Sequence, residues 1–365
     1  MLELSASEDQ IARLRLIRSD NIGPVTYFQL LARFGSASAA LAAVPDLAAR
    51  GGGRAPRLAS RAAIEREVEQ VAKLGARYLF LGQGLYPPLL AEIETAPPAL
   101  IVKGHVSLLD KPVIAMVGAR NASAAACRFA RTLAQGLGAA GTVVVSGLAR
   151  GIDTAAHDGA LETGTIAVIA GGVDIFYPPE NEERQRAIAE RGLLIAEQPP
   201  GVEPRARHFP YRNRIIAGLA QGTVVVEAAP RSGSLITARY ATEFGRDVMA
   251  VPGSPLDPRA QGCNSLIREG AILIQNADDV LETIRPFSLR PLAQKGLDYT
   301  APSASPDTSE AERRTVSDLL SPTPVGVDEI IRQSGLAPSA VQTVLLELEL
   351  AGRLERHAGG KVSLA

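Results

Sequence analysis

Arg120 and Arg150 are the residues whose type and spacing best suit chemistry, and that chemistry is the neutralisation of phosphate. Each sits in a glycine turn that follows a short apolar run: Gly118-Ala119-Arg120-Asn121-Ala122-Ser123 after residues 113–117, and Ser146-Gly147-Leu148-Ala149-Arg150-Gly151-Ile152-Asp153 after residues 142–145. Both turns open onto a helical pattern, and the first amides of a helix have no intrahelical partner and carry the positive end of its dipole. Glycine lets an anion reach those amides without meeting a Cβ, and arginine adds bidentate contacts to phosphate oxygens. Ser123 and Ser146 supply hydroxyls. The alternative is that the glycines serve only tight strand-to-helix turns and the arginines are solvated; two neighbouring turns of the same make favour the anion reading.

Three further constellations belong with these turns. Residues 205–214 carry Arg205, Arg207, Arg212, Asn213 and Arg214 interleaved with Phe209 and Tyr211, a mixture suited to a groove that pairs with phosphates and stacks on bases. A solvated helix start, with one or two arginines bonded to nearby carbonyls, is the alternative, and His208 reads as structural. Ser232, Gly233 and Ser234 form a third strand-to-helix turn with hydroxyls and amides for another anion. Residues 171–179 place Phe176 and Tyr177 on a strand-end loop, for base stacking or simply for packing.

Much chemistry is excluded. The chain has no phosphate-loop lysine motif, no His-Glu metal motif and no serine elbow. The dinucleotide fingerprint fails because the strand after the first turn and helix ends at Ser146, where a ribose-binding acid is needed. Two cysteines, Cys127 and Cys263, rule out a disulfide framework and a cysteine metal cluster. A net charge of −1 over 365 residues leaves nucleic-acid binding to a local patch. No cofactor and no membrane span is expected, and a reducing cytoplasm suits the cysteine count.

The elements that must position these residues follow from periodicity. Residues 1–82 read as a small helical domain, in which 22–35 resemble half of a helix-hairpin-helix or SAM-like unit, or a plain bundle turn, and 51–54 form a flexible, exposed break. Residues 83–284 alternate strands and helices as an α/β, extended Rossmann-like, doubly wound and mostly parallel sheet, with ligands at its carboxyl edge. Residues 285–308 read as a linker, and 309–365 as three short helices and a hairpin, the outline of a winged helix. Glu347 and Glu349 on the third helix would face phosphate, which favours a protein-contact or vestigial role over sequence reading.

Gly118-Ala119-Arg120 with Ser123, the segment Ser146 to Asp153, Arg212-Asn213-Arg214-Ile215-Ile216, Ser232 to Ala238 and Val251-Pro252-Gly253, in this order, resemble the DNA-processing protein A family (DprA, also called Smf). The resemblance implies a dimer that binds single-stranded DNA without sequence preference, protects incoming strands and loads the RecA recombinase during natural transformation, with no catalytic residue. It implies that Gly118, Arg120 and Ser123 hold backbone phosphates, with Ser146, Gly147, Arg150, Gly151, Arg212, Asn213 and Arg214 lining the same groove. Where several relatives have a lysine after the Tyr-Pro of the third loop, this chain has Pro179, with Arg184 or Arg186 as substitutes. The homodimer surface is expected near Leu266 and Ile267.

Two competing readings stand beside this one. A nucleoside monophosphate phosphoribohydrolase binds its phosphate on a similar turn with a glutamate three residues on, but Thr237 occupies that place. Without the carboxylate a ribosyl cation lacks a stabiliser. A winged-helix transcription factor would read duplex DNA, which the acidic third helix disfavours.

Overall fold

The computed structural model describes residues 6–288, 308–357 and 359–365, in two compact units: residues 69–294, and residues 1–68 together with 295–365.

The terminal unit begins with three helices, α1 (Glu8–Ile17), α2 (Pro24–Phe34) and α3 (Ala37–Arg50), and the first part of a fourth, α4 (Arg61–Lys73), whose remainder belongs to the larger unit. Ser7 caps α1 in a reciprocal box with Gln10, and Ser36 caps α3, each satisfying amides the helix cannot. Leu16, Tyr27, Leu30, Leu41 and Val44 form the core of this bundle.

The larger unit is a nine-stranded sheet: β1 (Arg77–Phe80), β2 (Ala99–Gly104), β3 (Val113–Gly118), β4 (Val143–Ser146), β5 (Thr165–Ile169), β6 (Leu193–Ala196), β7 (Gly222–Val226), β8 (Asp247–Ala250) and β9 (Ile272–Leu273). Its order is β1-β2-β6-β5-β4-β3-β7-β8-β9. From β6 to β9 all pairings are parallel, while β2 joins β6, and β1 joins β2, antiparallel. The chain steps outward from β3 to β6 and then returns to lay β7 beside β3, so the direction of winding reverses between those two strands. The sheet takes in residues 77–80, expected in the helical domain; a run of four residues that follows directly on a helical pattern is too short to announce a strand. The expected linker at 285–308 lies largely outside the described residues.

Both faces of the sheet are covered, and the strand pattern shows it. Along β3, Val113, Ala115 and Val117 join one core with Ile215, Ile216 and Leu219. The intervening Ile114 and Met116 join the opposite core with Leu133, Leu137, Ile152 and Ala156. Period-two alternation with both sets apolar is what a central parallel strand requires. The covering helices are α5 (Pro88–Ala91), α6 (Ala124–Ala139), α7 (Ile152–Ala160), α8 (Glu182–Arg191), α9 (His208–Leu219), α10 (Gly233–Glu243), α11 (Gln261–Arg268) and α12 (Ala277–Ser288).

The winged helix forms as the sequence suggests. It consists of α13 (Glu310–Asp318), β10 (Val325–Gly326), α14 (Val327–Ser334), α15 (Pro338–Leu350), β11 (Leu354–His357) and β12 (Lys361–Leu364), with its strands in the order β10-β12-β11. Two expectations change. Gly51 is buried, where an exposed break was expected. Glu347 and Glu349 meet Arg313 at 2.8 Å and Arg356 at 2.7 Å, so arginines of the same domain take the place given to phosphate.

One buried group ties stability to pH. His157 is 1% exposed and its Nδ1 lies 2.7 Å from the Thr165 hydroxyl, which itself donates to the Val144 carbonyl. The hydroxyl is thus left to accept from Nδ1–H, and Nε2 has no partner, so the ring is neutral. Burial pushes its pKa down to about 3 from 6.5. Between these values the unfolded chain binds the extra proton, so this contribution to stability is complete above pH 6.5 and is lost as pH falls toward 3. At pH 5 the loss is about 2 kcal/mol. Urea unfolding at pH 7 and pH 5 is expected to show a difference smaller by about that amount in His157→Gln than in the wild type; equal differences would refute the assignment.

Candidate nucleic-acid interface

A cleft opens over the carboxyl ends of β3, β4 and β5. Its walls are Arg120, residues 147–150, residues 169–171, Ile175, Tyr177, Pro178, Pro204, Phe209 and Arg212. Six residues singled out in the sequence therefore meet in one place: Arg120, Gly147, Arg150, Tyr177, Phe209 and Arg212. Parallel strands deliver them, because every loop that leaves a carboxyl end opens on the same side of the sheet.

Exposed cations and aromatic rings dominate the surface of this cleft. The Arg120 guanidinium lies 5.3 Å from the centre of the Phe209 ring, and Tyr177 lies 5.5 Å from Phe209 on centroids. Arg120 is exposed and has no ion-pair partner among the described residues. Arg150 reaches Glu180 only at 3.5 Å, with both side chains more than half exposed. A pair of that kind contributes at most about 1 kcal/mol and yields readily to a competing anion.

Arg212 has a different role. Its side chain is buried, and Nη1 donates to the carbonyls of Gly147 and Val168, the latter at 2.6 Å. Burial lowers its pKa to about 10, and the neighbouring Asp153 carboxylate opposes that shift. Asp153, also buried, has its pKa raised by desolvation, against the pull of Arg212 and of the Ala149 and Gly147 amides. Gly147 explains its own residue type, since a Cβ there would lie 2.1 Å from the Arg212 guanidinium. Gly151 has φ of 76° and would press a Cβ against the Ala119 carbonyl at 2.2 Å.

Several amides of the two turns are answered from within the chain. Gly147 and Ala149 donate to Asp153 at 3.1 and 3.3 Å. Ser123 caps α6 by accepting from the Ala126 amide, while its own amide and hydroxyl donate to Glu227, the hydroxyl at 2.7 Å. Glu227 stands at the end of β7 with φ of 56° and is also bridged by Arg259 at 3.3 Å. Its carboxylate thereby occupies the β3/β7 crevice where the winding reverses. Neither acid was singled out in the sequence, although both mark the spot: Glu227 directly follows an apolar strand, and Asp153 lies in the first turn of α7.

The remaining residues lie apart from the cleft wall. The Ser146 hydroxyl is buried and donates to the Met116 carbonyl at 2.6 Å, and Gly118 packs against Val226 and Ile152. Arg214 is buried against Glu197 at 2.6 Å. Asn213 reaches the Gly233 carbonyl at 3.3 Å, and the Ser232 and Ser234 hydroxyls bond each other at 2.8 Å. Phe176 carries Arg186 at 4.5 Å, and Tyr211 is exposed. Of the two substitutes for the missing lysine, Arg184 is held by Asp158 at 2.7 Å and Arg186 by Glu182 at 2.7 Å. Leu266 and Ile267 pack partly into the sheet core.

Fold and cleft together define a doubly wound α/β protein with a cationic, aromatic-lined groove at its carboxyl edge and a helical domain and winged helix alongside in sequence. Its relatives agree. The DNA recombination-mediator protein A family matches residues 77–285, the DprA-like N-terminal HHH domain residues 7–69, and the DprA winged helix domain residues 300–360. DNA processing protein DprA of Streptococcus pneumoniae is 50% identical over 198 residues, 54% of this chain and 70% of that one. Protein Smf of Escherichia coli is 39% identical over 290 residues, 76% and 75% of the two chains. Among solved structures, the S. pneumoniae DprA crystal structure superposes with a TM-score of 0.63 at 39% identity, over 76% of this chain and 98% of that one. DNA processing protein A of Helicobacter pylori, whose structure was solved for its single-stranded DNA binding mode, gives 0.53 at 28% identity, over 58% and 96%. The chain belongs to the DprA/Smf family of DNA-processing proteins.

Proposed function

We propose that this protein is a non-catalytic, sequence-independent binder of single-stranded DNA, which protects an incoming strand in the cytoplasm and passes it to the RecA recombinase in natural transformation. The observation that carries the reading is the Arg120–Phe209–Tyr177 cluster in the cleft. A guanidinium on an aromatic ring, with a second ring beside it, offers a phosphate partner and stacking faces at one point, the combination that holds single strands without reading their sequence. The single-stranded DNA binding named for the H. pylori relative supports it. Self-association as a homodimer is proposed at α11, around Leu266 and Ile267, and the adjoining strand β9, whose Ile272 and Leu273 are exposed.

Fluorescence anisotropy with a labelled oligothymidylate and a duplex of equal length is the test. Single strands are expected to bind at least tenfold more tightly than duplex, with affinity falling steeply as salt rises. Equal affinities would defeat the reading. Release of free base from a nucleoside monophosphate would instead favour the phosphoribohydrolase alternative.

A further inference from the structure

In a helix-turn-helix domain the second helix enters the major groove and its N-terminal residues touch base edges. Here that helix is α15, and it is buried on two faces. Val341, Val344, Leu345 and Leu348 fill the winged-helix core, while Leu346 and Leu350 belong to the core of the N-terminal bundle with Leu16, Tyr27 and Leu47. A helix apolar on both sides is one built to be enclosed by protein. Gln342, at a position where such a helix would read a base, accepts a 3.1 Å hydrogen bond at Oε1 from Nε2 of Gln29 in α2.

The contact is built for close approach. A Cβ on Gly51 would lie 2.1 Å from the Glu347 carbonyl oxygen, and one on Gly53 would lie 2.3 Å from the Ala351 carbonyl oxygen and 2.5 Å from its Cβ. Polar bonds frame this glycine seam: Asn21 donates to the Leu350 carbonyl at 3.3 Å, and Arg353 to the Gly51 carbonyl at 3.1 Å.

We propose that the outer face of α15 is a protein-docking face whose occupant is the N-terminal helical bundle of the same chain. The winged helix is then a strap that joins the two ends of the polypeptide, and it does not read duplex DNA. Apolar burial, glycine contact and paired polar groups from both partners support one occupant. The helix α15 itself carries no lysine or arginine for a phosphate backbone, and its two acids are taken by Arg313 and Arg356.

The test uses the full chain with a specific protease site introduced between residues 295 and 300. After cleavage, the C-terminal piece of the otherwise wild-type chain is expected to co-elute with the rest in size-exclusion chromatography. It should elute separately from both Gly53→Leu and Leu346→Asp, which attack the seam from opposite sides and leave the winged-helix core intact. Separate elution from the wild-type background, or retained co-elution in either variant, overturns the proposal. Duplex affinity of the uncut variants is expected to stay within threefold of wild type. A larger gain would mean that the seam masks a groove-reading helix, and would overturn the strap assignment while leaving single-strand binding by the cleft untouched.

Discussion

Replacing Arg212 by methionine is expected to destabilise the α/β unit by roughly 3 to 5 kcal/mol, the cost of breaking a buried charge arrangement by removing one member. Arg212 is 6% exposed, and its guanidinium satisfies the carbonyls of Gly147 and Val168 while facing the buried Asp153. Methionine fills much of the volume but leaves two carbonyls without a donor and a carboxylate without a cation. Arg212→Lys keeps the charge and loses the planar fork that reaches two carbonyls, so an intermediate cost of about 1 to 3 kcal/mol is expected. Asp153→Asn in the Arg212→Met background should recover part of the loss, since it removes the carboxylate left behind. Urea unfolding followed by circular dichroism measures all three. A wild-type midpoint in Arg212→Met would show that this arginine contributes nothing to the fold.

That expectation depends on a residue whose place the sequence disclosed only in part. Arg212 and Arg214 were both assigned to a phosphate groove on their type and company. Helical geometry separates them, as residues two apart point in different directions: Arg212 turns beneath the cleft and Arg214 turns to Glu197. The sheet was easier to read. Continuous apolar runs followed by glycine turns identify buried parallel strands such as β3 and β5. β1 and β2, which pair antiparallel at one edge of the sheet, are harder to read, because β1 is only four residues long and Pro97 and Pro98 stand directly before β2.

The site was legible in its cations and rings and illegible in its acids. Arg120, Arg150, Phe209 and Tyr177 stand out by type. That Glu227 would reach across 104 positions to Ser123, and Asp153 back to Gly147, depends on which strand lies beside which. These carboxylates answer three amides of the turns, those of Ser123, Gly147 and Ala149, and leave Arg120 and Arg150 as the exposed cations of the cleft. The glycines at 51–53 carry the same lesson: three in a row suggest a loose hinge, yet Gly51 and Gly53 are small because another helix lies against them.

The cleft itself is tested most sharply by a cycle of substitutions at Arg120 and Phe209. Arg120→Ala is expected to weaken oligothymidylate binding by roughly 1 to 3 kcal/mol, as the loss of a charge-assisted phosphate contact. Phe209→Ala is expected to cost about 1 to 3 kcal/mol through lost base stacking. The two differ in their salt dependence. Removing a phosphate contact to a single strand should lower the slope of log K against log salt by about 0.7, whereas removing a stacking face should leave it unchanged. Because the guanidinium lies 5.3 Å from the ring centre, each substitution also disturbs the other group. The double variant is therefore expected to fall short of the sum by about 0.5 to 1 kcal/mol. Full additivity would mean that the two groups act independently, and an unaltered slope in Arg120→Ala would remove that arginine from the phosphate path and with it the principal support for the cleft as the strand's seat.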